Sequence, residues 1–337
     1  MKDFFLADAA KHRGKSVRSH FLVAQKQLRD RNDGNGKYLS LTLCDRTGRL
    51  DGRVWDNAEA LAAKFEQNDF VDVRASVDEF NGKLQLRVLE VVRLNPNQVE
   101  LGDFQRKTSR DIDGLWSQLH ETVNSFTDAD LKRLVLAFLD DPEIARRYRA
   151  APAAKFMHHA WIGGLLEHVV DLLQFCDLAA GHFPMIYRDL LLTGAILHDI
   201  GKIYELSWER GFEYTLEGQL IGHISIAPRL LDEKVKALPG FPKHIHTLVE
   251  HMILSHHGSL EFGSPKLPMI PEAVLLHYLD DAEAKMLAMR EACQPEGLPA
   301  SVYIDRVRAL ERPLVNTRQY LAEAKAEAES KKQVGNE

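Results

Sequence analysis

An all-β segment followed by an all-α segment is the architecture this sequence predicts, and three observations carry the prediction. Across residues 16–94, apolar and polar positions alternate with the period of two expected of half-buried strands. From about residue 110 the apolar positions recur three and four apart, the spacing of helices with one face in a core. Between the two regimes, NPNQVELGDFQRKTSR (95–110) is polar and carries Pro96 and Gly102, the composition of a connecting segment. A chain of 337 residues suits two domains better than one.

In order along the chain, strands are expected at 16–29, 38–45, 50–56, 69–79 and 83–94. The alternation is clearest in YLSLTLCD, where Leu39, Leu41 and Leu43 share one face and Tyr38, Ser40 and Thr42 the other. Asp33-Gly34-Asn35-Gly36, Arg46-Thr47-Gly48 and Asn81-Gly82 are turn signals between strands. A short helix at 58–65 precedes the fourth strand, and five strands in that order are those of an OB-fold barrel. Helices follow at 113–122, 128–139, 162–179, 187–199, 217–237, 243–256 and 271–293, and YLAEAKAEAESKKQVGNE reads as a helix fading into a polar tail. The expected division is a barrel over 1–95, a linker over 96–112, a helical domain over 113–315 and a terminal helix and tail over 316–337.

Composition narrows the functional classes. A hydrophobic content of 45% and a charged content of 27% are those of an ordinary globular protein. Cys44, Cys176 and Cys293 match no zinc or redox spacing, which points to a reducing compartment without a disulfide framework. MKDFFLADAA lacks the apolar run of a signal peptide, and LLLTGAIL is too short to span a bilayer, so a cytoplasmic protein without a membrane partner is expected. The net charge of −6 is uneven: residues 1–95 hold 17 basic and 14 acidic side chains, leaving the rest of the chain at −9. A mildly basic barrel suits phosphates, and the acidic remainder suits cations.

Helical phase picks out a set of metal-ligand side chains. His168 lies three residues after Leu165 and four before Leu172, on the apolar face of its helix. His198 is three beyond Ala195, and Asp199 follows where Gly201 ends the helix. His223 is three beyond Leu220, His256 four beyond Met252 with His257 beside it, and Asp280 four beyond Leu276. One inward histidine is most simply a hydrogen-bonded core residue. Five imidazoles converging with two inward aspartates from other helices call for compensating positive charge, and divalent metals supply it.

The order His168, His198-Asp199, Asp280 resembles the pattern of HD-domain phosphohydrolases, and HDIGK (198–202) is similar to their extended HDxGK form. His223 and the His256-His257 pair resemble the second-metal ligands of binuclear HD proteins such as the HD-GYP class. The GYP signature is absent, since the chain runs GSLEFGSPKLP after Gly258's two preceding histidines. The resemblance implies one metal on His168, His198, Asp199 and Asp280, and a second on bridging Asp199, His223, His256 and His257. The metal expected is Mn²⁺, with Co, Fe, Ni or Mg as alternatives. Two ions ~3.5–4 Å apart can hold a hydroxide for in-line attack on phosphorus. Lys202 is a candidate for a non-bridging phosphate oxygen, against the plainer reading of a lysine capping the helix end.

In the barrel, single-strand-binding OB-folds pair a basic groove with aromatic platforms. Candidates are Lys15, Arg18 and Arg53 for phosphate, and Tyr38 and Trp55, which alternation turns away from the buried leucine face, for bases. Lys155 and His159, with His158, are candidates for the substrate phosphate, against a local packing role. His277 reads as a supporting or core residue, and His244, His246 and His251 as solvated.

The barrel, the linker and the motifs KFMHHAWIGGLLEH, LLLTGAILHDIGK, GHI and SHHG together resemble the YhaM family of 3′→5′ exoribonucleases, over about residues 14–310. In LDDAEAKM (279–286), Asp281 and Glu283 stand where Asn and Asp are expected in that family. The resemblance implies metal-dependent removal of nucleotides from the 3′ end of single-stranded RNA, with single-stranded DNA as a second substrate. Two alternatives stay open from the residues: a phosphohydrolase of small nucleotides with a regulatory barrel, and a nucleic-acid-binding regulator whose HD domain is only structural. Polymer against mononucleotide substrates separates the first, and loss of any one ligand would favour the second.

Overall fold

A computed structural model describes residues 2–31, 36–80, 82–155, 159–208, 211–294, 300–307 and 310–334. The alternating segment forms strands β1 (Ser16–Asp30), β2 (Lys37–Asp45), β3 (Gly48–Val54), β4 (Phe70–Phe80) and β5 (Lys83–Arg93), with helix α1 (Ala58–Ala62) between β3 and β4. They close into a barrel in the order β1-β2-β3-β5-β4, the OB-fold order expected. All pairs are antiparallel except β3 with β5, the parallel pair that lets the barrel close. At 15 residues β1 is long enough to pair with both neighbours: its first half lies along β4 and its second along β2, with a register shift between Val23 and Gln25. Leu39, Leu41 and Leu43 point into the barrel with Phe21, Val23, Val71, Val73 and Leu86.

The helical region begins with α2 (Ile112–Asn124), α3 (Ala129–Leu139) and α4 (Pro142–Ala150). Asp111, Asp128 and Asp141 cap them, each accepting two backbone N–H groups of the first turn. Helix α4, nine residues long and carrying Arg146, Arg147 and Arg149, lies outside the helices expected from periodicity. Next come α5 (Gly164–His182), α6 (Arg188–Leu197) and the short α7 (Lys202–Glu205). Nine of the ten residues of α6 are buried, which is why its pattern reads as a continuous apolar run. A two-residue hairpin, β6 (Leu206–Ser207) with β7 (Glu213–Tyr214), leads to α8 (Leu216–Ile221), α9 (His223–Lys236) and α10 (Lys243–Ser255). One helix over 217–237 was expected; two are found, because Gly222 takes a φ of 76° and turns the chain between them.

Helix α11 (Pro271–Cys293) follows. The chain forms two compact units, residues 1–277 and residues 278–337. The second contains the rest of α11, an unexpected hairpin of β8 (Tyr303–Val307) with β9 (Arg312–Val315), and the expected terminal helix α12 (Thr317–Val334). Within the first unit, barrel and helices touch: the Phe70 and Phe104 rings lie 4.8 Å apart, Asn68 bonds Glu213, and the Gln105 amide donates to the Trp208 carbonyl. Among the described residues, no helix is long and apolar enough to cross a membrane.

Candidate metal centre

Four elements deliver the predicted histidines to one place. Helix α5 carries His168, the turn after α6 carries His198 and Asp199, α9 begins at His223, and the turn after α10 carries His256 and His257. His168, His198, Asp199 and His256 are buried, and His223 is nearly so. The approach of α9 to the turn after α6 needs a glycine: a Cβ on Gly201 would lie 2.2 Å from the His223 carbonyl oxygen.

Four of the imidazoles, those of His198, His223, His256 and His257, are held by their Nδ1 side. His198 Nδ1 lies 3.0 Å from the Ala195 carbonyl, His256 Nδ1 2.7 Å from that of Ile253, and His257 Nδ1 2.7 Å from that of Phe262. His223 Nδ1 lies 2.9 Å from Glu205 Oε1. An oxygen opposite Nδ1 requires an N–H there, so each ring turns an Nε2 lone pair the other way. Those lone pairs converge. His223 Nε2 and His256 Nε2 lie 3.4 and 3.7 Å from Asp199 Oδ1, and His168 Nε2 lies 3.5 Å from His198 Nε2. His223 Nε2, His256 Nε2 and Asp199 Oδ1 are buried and have no hydrogen-bond partner among the described residues.

Three buried acceptors facing one another would be costly in a protein interior, and a cation among them removes the cost. The donor set fits a divalent transition metal: neutral imidazoles with a carboxylate, and ring nitrogens of His223, His256 and His257 all within 4.8 Å of one another. Protonation states agree. Burial pushes Asp199 up, but Lys202, His198 and His223 outweigh it and hold the carboxyl well below its usual range. Burial, assisted by His198, pushes His256 well below the usual imidazole value, and burial lowers His257. Ligands in those states bind metal without first losing protons.

The other predicted residues divide. Lys202 Nζ sits 2.6 Å from Asp199 Oδ2, an ion pair with the central carboxylate. Asp280 lies on α11 in the second unit, three residues past His277, whose Nδ1 is 3.0 Å from the His256 carbonyl. His159 is buried against Trp161 and His168, with ring centroids 5.1 and 5.5 Å away, and Lys155 Nζ is 5.6 Å from the Tyr214 ring centre. His158 lies outside the described residues. His251 and His246 were read as solvated, but His251 Nε2 accepts the Met269 N–H at 3.0 Å and His246 faces Asp232 at 3.0 Å. Glu205, which no sequence pattern singles out, holds both the ring and the backbone N–H of His223. A four-residue helix is too short for periodicity to reveal it.

On the barrel, Tyr38 and Trp55 stack at 4.8 Å with planes 26° apart. Arg53 lies 6.0 Å from the Tyr38 ring centre and bonds Ser40. Arg31, which alternation does not single out, lies 5.6 Å from the Trp55 ring centre and donates to the Trp55 carbonyl. Beside this stack a cavity of about 660 Å³ is lined by Arg31, Lys37, Asn57 and Glu59 among others. Lys15 and Arg18 are not part of it: Arg18 pairs along β4 with Arg74, eleven residues of β1 away from Arg29, the partner of Tyr38. The Arg18 guanidinium is engaged by Asp72 at 2.6 Å.

Residues 23–94 match the model of the OB-fold nucleic acid binding domain, and residues 165–285 that of the HD domain. The 3′-5′ exoribonuclease YhaM of Geobacillus sp. (strain WCH70) is 33% identical over 82% of this chain and 85% of its own. That of Bacillus velezensis is 33% identical over 88% of this chain and 93% of its own. Among solved structures, the second OB-fold domain of replication protein A from Methanococcus maripaludis aligns at 23% identity over 24% of this chain and 86% of its own, with a TM-score of only 0.20. One residue in three is shared with these relatives across nearly their whole length, and the chain belongs to the YhaM family of 3′-5′ exoribonucleases.

Proposed function

We propose that this protein is a metal-dependent 3′→5′ exoribonuclease that hydrolyses phosphodiester bonds of single-stranded RNA, and single-stranded DNA as a second substrate. The observation that carries the reading is the convergence of His223 Nε2, His256 Nε2 and Asp199 Oδ1 from three elements, buried and without hydrogen-bond partners among the described residues. Two relatives named 3′-5′ exoribonuclease support the RNA 3′ end as substrate.

In this reading one ion is held by His168, His198 and Asp199, with Asp280 as a further ligand. Asp280 shares a helix face with His277, three residues before it, and His277 is anchored on the His256 carbonyl. A second ion is held by Asp199, His223, His256 and His257. Mn²⁺ is the proposed ion, with Co, Fe, Ni or Mg as substitutes. When bound, such ions activate water as a nucleophile and neutralise charge developing at phosphorus. Asp199 is the residue both sites share, which is why its carboxyl must stay ionised. Lys202, already within reach of Asp199, is placed to pair with a phosphate oxygen once metals take over the carboxylate. The barrel over 1–95 would hold the strand at Tyr38, Arg53 and Trp55, the linker over 96–112 would join it to the catalytic domain over 113–315, and 316–337 would form a terminal appendage.

Incubation of the purified protein with 5′-labelled RNA and Mn²⁺ tests the proposal. A ladder shortening from the 3′ end is expected, with a slower ladder on DNA. A chain that binds metal yet shortens no oligonucleotide with Mn²⁺, Co²⁺, Ni²⁺, Fe²⁺ or Mg²⁺ would sink it.

A further inference from the structure

Glu205 ends α7, only six residues beyond Asp199, and it is buried. One of its carboxylate oxygens, Oε1, meets two groups of the same residue: the His223 backbone N–H at 2.9 Å and His223 Nδ1 at 2.9 Å. The first contact satisfies an N–H at the start of α9 that no helical carbonyl can reach. The second fixes the proton on Nδ1, so the lone pair on Nε2 points away from Glu205, toward Asp199 Oδ1 at 3.4 Å. The acid is itself immobilised. Its backbone carbonyl accepts the Thr215 N–H at 2.9 Å, and Gly218 packs so closely that a Cβ there would lie 2.1 Å from that carbonyl oxygen.

Of the imidazoles whose Nδ1 partner is defined above, His223 alone is oriented by a carboxylate. His198, His256 and His257 each use a backbone carbonyl of their own neighbourhood. His223 is also the only one of them standing at a helix start, directly after the Gly222 turn, where its own helix offers no carbonyl one turn back to orient the ring. We infer that Glu205 is a positioning residue of the metal centre, setting the tautomer and aim of His223 and strengthening it as a ligand. The inference rests on the metal reading above. A carboxylate behind a ligating imidazole raises the basicity of the ring as well as orienting it, and its removal typically costs about 10–100-fold in metal affinity.

The test is Mn²⁺ binding to the full chain by calorimetry, with wild type, D199A, H223A, E205A, E205Q and the E205A/H223A double variant. E205A is expected to lose about 10–100-fold in affinity. E205Q keeps an acceptor oxygen for both N–H groups but loses the charge, and should fall between E205A and wild type. The double variant should bind no more weakly than H223A, because Glu205 acts through His223. Co²⁺-loaded E205A should also show an altered ligand-field spectrum. Wild-type affinity in E205A, or losses that add in the double variant, would overturn the inference while D199A still shows the metal site to be real. Equal Mn²⁺ binding by wild type and D199A would instead overturn the metal reading and this inference with it. Should E205A fail to fold in chelator, E205D decides: it keeps the charge and loses the reach, and a folded E205D with wild-type affinity overturns the inference.

Discussion

Asp199 concentrates the electrostatics of the site, with Lys202 on one carboxylate oxygen and His223 and His256 facing the other. D199A is expected to bring Mn²⁺-dependent RNA shortening below detection and to lower bound metal, measured by the labelled-RNA assay and by elemental analysis. Retained activity would reject the ligand model. The histidines give a separate, pH-dependent signature in metal-free protein. Burial holds His256 well below, and His257 below, the 6.5 of an exposed ring, so just under that pH the unfolded chain takes up protons that the folded chain refuses. Their contribution is fully present above about pH 6.5 and is lost as the pH falls toward their folded values. Asp199, depressed from 3.8, contributes fully above that value and is lost only at lower pH, so it adds no pH dependence near neutrality. The melting midpoint in chelator should therefore drop from pH 7.5 to pH 5.5, and H256N should flatten the drop. An unchanged slope in H256N would refute the assignment. At this scale sequence phase turns His168, His198, His223 and His256 inward, but it is silent on which ring nitrogen faces the centre. That depends on carbonyls one turn back, and for His223 on Glu205, whose side chain arrives from a helix too short to have a period.

Elements were legible where a pattern had room to repeat. Helices α5, α6, α10 and α11 run for ten residues or more, and the barrel strands alternate over seven or more, enough for face and register to show. The α8–α9 break was not legible, because Leu220, His223 and Ala227 keep helical spacing straight through Gly222, and only the positive φ reveals the turn. The β8–β9 hairpin has no buried position in either strand, so it offers no alternation to read. Close packing between elements is equally hidden in a sequence. Gly201 reads as a helix terminator, yet its φ of −63° is ordinary and its necessity is the His223 carbonyl pressed against it. G201A should force α9 away from the turn that carries Asp199, costing about 1–3 kcal/mol of stability and weakening Mn²⁺ binding. Gly181, with open space where its Cβ would go, is the control: G181A should be neutral or slightly stabilising. Denaturant unfolding and calorimetry on both variants measure this, and equal behaviour of the two would show that the α7–α9 contact does not position His223.

Across the molecule, the balance of charge is less decisive than its placement. Residues 1–95 are only slightly basic, and much of that charge is spent internally, as in the Arg18–Asp72, Arg74–Glu90 and Arg93–Asp69 pairs. What distinguishes one side of the barrel is the ladder of Arg53, Tyr38, Trp55 and Arg31, where guanidinium groups flank an aromatic stack on β2 and β3. That side is where OB-folds bind oligonucleotides. If it is the contact surface, binding of single-stranded RNA to chelator-treated protein should combine stacking with phosphate neutralisation. Y38A and W55A should then each weaken binding by about 1–3 kcal/mol with little change in salt dependence. R53A should instead reduce the slope of log affinity against log salt by about 0.7, the value for one phosphate contact on a single strand. R18A, distant along β1 from the Tyr38–Trp55 stack, should change neither quantity appreciably. Fluorescence anisotropy with a labelled oligonucleotide over a salt series separates the three outcomes. A slope lowered by R18A but not by R53A would move the RNA path to the β1–β4 side of the barrel and remove the Tyr38–Trp55 stack from the proposed interface.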